Sequence, residues 1–148
     1  MKIAFACDHG GFSARNEVFK FLKENDVEFI DFGTFSEDSC DYPDFATKVC
    51  EKVLNGEVDK GILICGTGIG MSIVANKFKG IRCAHVTDSF SAEMTRRHND
   101  SNVIALGARI SKTQEIIEYI KIFLTTEFDG GRHLTRVNKI KEVENANL

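Results

Sequence analysis

The sequence predicts a doubly wound α/β fold, a single domain with a five-stranded parallel sheet covered by helices on both faces. Three observations predict it. Short apolar runs alternate with stretches whose apolar residues fall three and four apart. A Gly- or Asp-marked turn joins one to the next, and right-handed crossovers then place the helices on the sheet faces. The 148 residues suit one domain of roughly 150.

The first strand is Ile3 to Cys7, closed by Asp8-His9-Gly10-Gly11 and followed by a helix with Phe12, Val18, Phe19 and Leu22 on one stripe. Val27 to Phe32 is the second strand. After a loop, Pro43 opens a helix, a position its fixed φ and missing N–H suit, and Phe45, Ala46, Val49, Cys50, Val53 and Leu54 form its apolar face. Ile62 to Cys65 is the third strand, and Gly66-Thr67-Gly68-Ile69-Gly70 leads into a helix expected to reach Phe78. A fourth strand from Ile81 to Val86, with His85 inside it as a sheet histidine, precedes a helix ending near His98. Val103 to Leu106 is the fifth. Ser111-Lys112-Thr113-Gln114 has the form of a capping box, and Ile116, Ile117, Ile120, Phe123 and Leu124 continue that helix on one face. From Arg132 to Asn147 the chain is polar, with a narrow stripe of Val137, Ile140 and Val143 that suits a terminal helix docked on a neighbouring subunit.

Charge and composition exclude several classes of partner. Lys+Arg total 19 against 22 Asp+Glu, a formal charge of −3, so no overall positive field gathers nucleic acid or an anionic membrane. No run approaches the ~18 apolar residues of a membrane span, and Asp8 ends the first apolar stretch too early for a signal peptide. A cytoplasmic protein is expected. The five cysteines, Cys7, Cys40, Cys50, Cys65 and Cys83, are odd in number and form no Cys-x-x-Cys pair, which speaks against a disulfide framework or a zinc cluster.

Ligands of such sheets bind beyond the carboxyl ends of the strands. The loop Gly66 to Gly70 fits neither nucleotide fingerprint: Met71 stands where Gly-x-Gly-x-x-Gly needs glycine, and the Gly-Lys-Ser/Thr of a P-loop is absent. It reads either as tight packing or as an anion site. Cys65, the last residue of its strand, is placed to ionise readily and act as a base or nucleophile. Asp8-His9 sits at the same sheet edge. His98-Asn99-Asp100 suits a helix C-terminus as well as it suits a site. Arg132 and Arg136, four apart behind Gly130-Gly131, are either solvated charge or two forks for a phosphate dianion, and Arg109 past the fifth strand could join that field. Arg96 and Arg97 read as surface charge.

Taken in order along the chain, Cys7-Asp8-His9-Gly10-Gly11, Asp41-Tyr42-Pro43, Ile64-Cys65-Gly66-Thr67-Gly68-Ile69-Gly70-Met71-Ser72, Ala75-Asn76-Lys77, Arg97-His98-Asn99-Asp100 and Gly130-Gly131-Arg132-His133 to Arg136 resemble the ribose-5-phosphate isomerase B family. That family also holds allose-6-phosphate isomerase and the subunits of galactose-6-phosphate isomerase. The resemblance implies a Rossmann-like domain and an aldose–ketose isomerase that needs neither metal nor cofactor, because acid–base groups and an oxyanion site suffice. It implies Cys65 as the base, Thr67 with the amides of Gly66, Gly68, Ile69 and Gly70 as the enediolate cradle, and His98 as the acid and base of ring opening. Asp8, His9, Tyr42 and Asn99 would line the sugar, and Arg132, Arg136 and Arg109 would hold the phosphate. One branch of the family replaces the cysteine by a carboxylate just after the glycine loop; Cys65 and Met71 put this chain with the thiol branch. The resemblance further implies a homodimer with shared sites, or a tetramer built from it. The alternatives are a hexose-6-phosphate isomerase, and a non-catalytic sugar-phosphate or nucleotide sensor.

Overall fold

In the computed structural model, which describes residues 1–147, the strands β1 (Lys2–Cys7), β2 (Glu28–Asp31), β3 (Lys60–Cys65), β4 (Cys83–His85) and β5 (Val103–Gly107) form one parallel sheet in the order β2-β1-β3-β5-β4. β1, β3 and β5 lie in the middle and are almost entirely buried, as befits near-continuous apolar runs covered on both faces. The chain runs from β1 outward to β2, then returns across β1 to β3. The order therefore reverses between β1 and β3, and it is at such a switch point that a crevice opens beyond the carboxyl ends. Cys7 and Cys65 end the two flanking strands.

One face carries α1 (Arg15–Glu24) and α5 (Thr113–Thr125), with Ala92 of α4 (Ser89–Asn99) in the same core around Phe5, Ile62, Ile104 and Phe123. The other carries α2 (Tyr42–Leu54) and α3 (Ile69–Ala75), packed on Ala4, Leu63, Val103 and Ala105. Small residues of β1 and β5 face this second layer and let α2 and α3 approach closely. Gly61 makes room in the same way, since a Cβ there would stand 2.5 Å from Val49.

Two elements are shorter than the periodicity predicts. α3 ends at Ala75 instead of Phe78, and β4 covers Cys83–His85 instead of Ile81 to Val86. Side-chain amides cause both changes. Asn76 exchanges hydrogen bonds with the Cys83 backbone, its Nδ2 donating to the carbonyl at 2.9 Å and its Oδ1 accepting from the amide at 2.8 Å. Asn102 Oδ1 accepts from the Arg82 amide at 2.8 Å. The capping box of α5 lies one residue later than expected. Lys112 is the N-cap, and its amide donates to Glu115 Oε1 at 2.8 Å. Ser111 instead belongs to the preceding turn, donating its amide to Gly107.

The terminal stretch is a helix, α6 (Arg132–Ala146), which packs on α4 of its own chain. His133 and Val137 are buried there, while Ile140 and Val143 remain exposed beside Phe90 and Met94 on the wall of a groove of about 1160 Å³. Among the described residues, no helix is long and apolar enough to cross a membrane.

Candidate active site

Cys65, Asp8 and the glycine loop meet at the switch point. The Asp8 amide donates to the Ile64 carbonyl at 3.2 Å, which draws the end of β1 against the end of β3. Asp8 Oδ1 then accepts from the amides of Gly10 and Gly11, at 2.8 and 3.1 Å, and the turn closes tightly. A side chain at either glycine would collide with β3 or its loop: a Cβ on Gly11 would sit 2.2 Å from the Ile64 oxygen, and one on Gly10 2.9 Å from the Gly66 nitrogen. From the other side, the turn after β5 clamps the loop, Ala108 and Arg109 donating their amides to the carbonyls of Cys65 and Gly66 at 2.9 Å each. The Arg109 side chain lies over Gly66, its guanidinium nitrogen 3.1 Å from where a Cβ would stand.

Within the loop, the Gly68 amide donates to Cys65 Sγ at 3.1 Å and the Ile69 amide to Thr67 Oγ1 at 3.2 Å. This corrects the expectation that all the loop amides face a ligand. Those of Gly68 and Ile69 are engaged inside the loop. The Tyr42 ring covers Gly70, where a Cβ would meet its Cζ at 2.6 Å. His9 Nδ1 accepts the Cys40 amide at 3.3 Å, so in its neutral form the ring proton sits on Nε2.

The remaining candidates gather elsewhere. α4 begins beyond the carboxyl end of β4 and runs back along the sheet, so His98, Asn99 and Asp100 lie at the amino edge. There Arg82 Nε donates to the Asn99 carbonyl, the Asn102 amide donates to the Arg82 carbonyl, and Asn102 in turn accepts at its own carbonyl from Gly61, near the start of β3. From Gly61 to Cys65 is about 13 Å of strand at ~3.3 Å per residue. α6 starts beside His98. The Asp129 amide donates to the Arg97 carbonyl at 3.1 Å, and the rings of His98 and His133 stack with centroids 4.2 Å apart. Burial first, then the neighbouring His98, Arg132 and Arg136, hold His133 below its ordinary 6.5. His98, Asn99, Arg132 and Arg136 thus form a second group, separated within one chain from Cys65, Thr67 and Arg109. Arg109, lying over Gly66, stands with the first group, and Arg132 and Arg136 at the start of α6 stand with the second.

Comparison with known proteins bears on this geometry. Residues 3–140 match the model of a family described as Ribose/Galactose Isomerase. The chain belongs to the ribose/galactose isomerase family. It is 47% identical to the Escherichia coli protein named ribose-5-phosphate isomerase B, over 97% of this chain and 96% of that one. The Clostridium thermocellum ribose-5-phosphate isomerase B structure superposes with a TM-score of 0.98 at 50% identity, covering 100% of both chains. A Mycoplasma genitalium ribose-5-phosphate isomerase B structure with bound ribulose-5-phosphate gives 0.92 at 39%, over 97% of this chain and 96% of that one. Family membership makes this chain an aldose–ketose isomerase.

Two further corrections concern residues of the isomerase that the sequence left aside. Arg96 is not surface charge: it is buried, donating to the carbonyls of Ser101 and Thr126 and to Asp100, and it ties α4 to the start of β5. His85 is not inside its strand but ends it, with its ring on the glycine loop. His98, Asp129 and His133 come close enough that their ligand atoms lie within 4.8 Å of one another. The near-parallel stacking, 8° between planes, sets the imidazole lone pairs side by side rather than converging, and Arg97 already holds Asp129.

Proposed function

We propose that this isomerase interconverts ribose 5-phosphate and ribulose 5-phosphate through an enediolate, at a site completed by two copies of the chain. The separation of Cys65 from His98 carries this reading. The carboxyl edge offers a thiol, a carboxylate and oxyanion donors but lacks the ring-opening histidine and the arginine pair. The far end offers those two and lacks the thiol. When one copy lays the His98 end of α4 and the start of α6 against the carboxyl edge of another, every required group surrounds one sugar, and α6 becomes part of the contact.

His98 would take the anomeric hydroxyl proton and protonate the ring oxygen, giving the open aldose. Cys65, as thiolate, would remove the C2 proton and return it at C1, the hydroxyl proton moving between O1 and O2 to complete the ketose. The amides of Gly66, Thr67 and Gly70 would hold the developing oxyanion. Asp8, His9, Tyr42 and Asn99 would line the sugar, His9 through its Nε2–H. Arg132 and Arg136 of one copy, with Arg109 of the other, would bind the phosphate and position the reacting carbons. The oxidation is internal to the sugar, so no redox cofactor is required. Five free thiols fit a reducing compartment, and we place the enzyme in the cytoplasm.

The test is conversion of ribose 5-phosphate by the purified chain in the presence of a chelator, with Cys65→Ala beside it and a panel including allose and galactose 6-phosphates. Turnover of the pentose by wild type and none by the variant is the expected result. Preference for a hexose phosphate would replace the substrate, and binding of ribose 5-phosphate without exchange of its C2 proton would exclude the pentose as the substrate.

A further inference from the structure

His85 has no part in the reaction above, yet its ring lies on the catalytic loop. It ends β4, paired with Ala105, so its side chain reaches the carboxyl edge of the sheet. Its Nε2 lies 2.7 Å from the Thr67 carbonyl oxygen, and its Cδ2 is 2.9 Å from where a Cβ on Gly68 would stand. A carbonyl oxygen only accepts, so Nε2 carries the proton and donates it. The Thr67 carbonyl and the Gly68 amide are the two ends of a single peptide group. Its N–H donates to Cys65 Sγ at 3.1 Å.

We infer that His85 is a positioning residue for the isomerase, holding the peptide between Thr67 and Gly68 in the orientation that aims its N–H at the Cys65 sulfur. Two physical effects converge on that peptide. Gly68 has φ of 81°, and glycine populates both signs of φ with little cost, so without a second hold the peptide plane is free to turn over and withdraw the N–H. Donation into its carbonyl also polarises the amide and strengthens the N–H bond to sulfur, as hydrogen bonds in a chain reinforce one another. Hydrogen bonding to a charged group favours its charged form, so a change at this N–H is read out in how the sulfur reacts across pH. The other charged groups at the loop are Asp8 at the end of β1 and Arg109 after β5, and neither depends on His85 for its place.

What the thiolate does rests on the proposed reaction, whereas the coupling itself is testable without it. The measurement is alkylation of Cys65 by iodoacetamide across pH, followed by mass spectrometry of the Cys65 peptide, in wild type, His85→Leu and His85→Gln. His85 is exposed, so both variants keep the core intact. In His85→Leu the rate at pH 7 falls about three-fold, with the profile moved upward by about half a pH unit, a tenfold change in the ionised fraction corresponding to one unit. His85→Gln, whose amide nitrogen reaches the place of Nε2, restores most of the rate. Isomerase kcat follows the same order if the thiol is the base. An unchanged profile in His85→Leu, or an equal shift in both variants, overturns the inference. Loss of turnover without any change in alkylation overturns it as well, while a shifted profile in a chain that turns over no sugar leaves the coupling standing and removes the proposed reaction.

Discussion

The imidazoles of His98 and His133 lie face to face, centroids 4.2 Å apart and planes within 8° of parallel. Such a stack tolerates one positive charge better than two. Burial, then His98, Arg132 and Arg136, already lowers His133 from its ordinary 6.5. As the pH falls through 6.5 the unfolded chain takes up this proton before the folded chain does, so stability declines toward acid. His133→Leu is expected to flatten the decline in urea midpoint between pH 7.5 and 5.5. Equal slopes in the two proteins would show that the stack does not govern acid stability.

The alkaline limb has a different origin. Cys7 and Cys50 are fully buried, and burial pushes their thiols up from the ordinary 9.0 to about 12 and about 11. Cys83 moves in the same direction for the same reason. Below pH 9 both states keep these protons. Between pH 9 and about 11 the unfolded chain releases them and the folded chain does not, so stability falls. Lys60, lowered by burial from 10.5 to about 8, works the other way, because across that window the unfolded chain holds more protons. The urea midpoint should therefore hold from pH 8 to 9 and drop from 9 to 11. The double variant Cys7→Ala, Cys50→Ala should drop less steeply; a drop as steep as in wild type would assign the loss to other groups.

The central strands and the carboxyl-edge loops were legible because local patterns specify them. Ile62 to Cys65 is apolar throughout, and a glycine loop after it has to lie at the carboxyl edge. The limits of β4 and α3 were not legible, since Asn76 and Asn102 set them through contacts with residues distant in sequence. The placement of His98 had a signal that motif reading passes over. A crossover helix runs opposite to its strand, so the C-terminus of α4 falls at the amino edge. His85 was hidden for a related reason: the periodicity put it inside a strand, and the early end of β4 brought it onto the loop.

Glycines around the site separate stability from function. A methyl on Gly11 would stand 2.2 Å from the Ile64 carbonyl oxygen, backbone in the middle of the core, with no room to yield. Gly11→Ala is expected to cost about 2–3 kcal/mol of folding stability. On Gly70 the methyl meets the Tyr42 ring at 2.6 Å, and Tyr42, 39% exposed at the start of α2, is able to swing aside. With Tyr42 lining the sugar as proposed, Gly70→Ala should keep its melting temperature and raise KM several-fold, because the displaced ring would leave its place beside the substrate. Urea denaturation and steady-state kinetics on both variants check the contrast, and equal stability losses would contradict it.

Placement of Cys65 and His98 at opposite ends of the sheet makes a quantitative prediction for mixed assemblies. In the proposed shared-site homodimer, Cys65→Ala would disable every site of its own assembly, and so would His98→Asn. When the two inactive proteins are unfolded together and refolded in equal amounts, half of the dimers combine one chain of each kind. In a shared-site dimer, a mixed pair has one site carrying both substitutions and one carrying neither. Random pairing therefore restores about one quarter of wild-type activity, half the dimers with half their sites intact. Recovery is highest at equal proportions and falls away on either side. If each chain instead carried its whole site, every site would lack one group and the mixture would stay inactive at all proportions. Titrating one variant against the other and measuring ribose 5-phosphate turnover distinguishes the two arrangements.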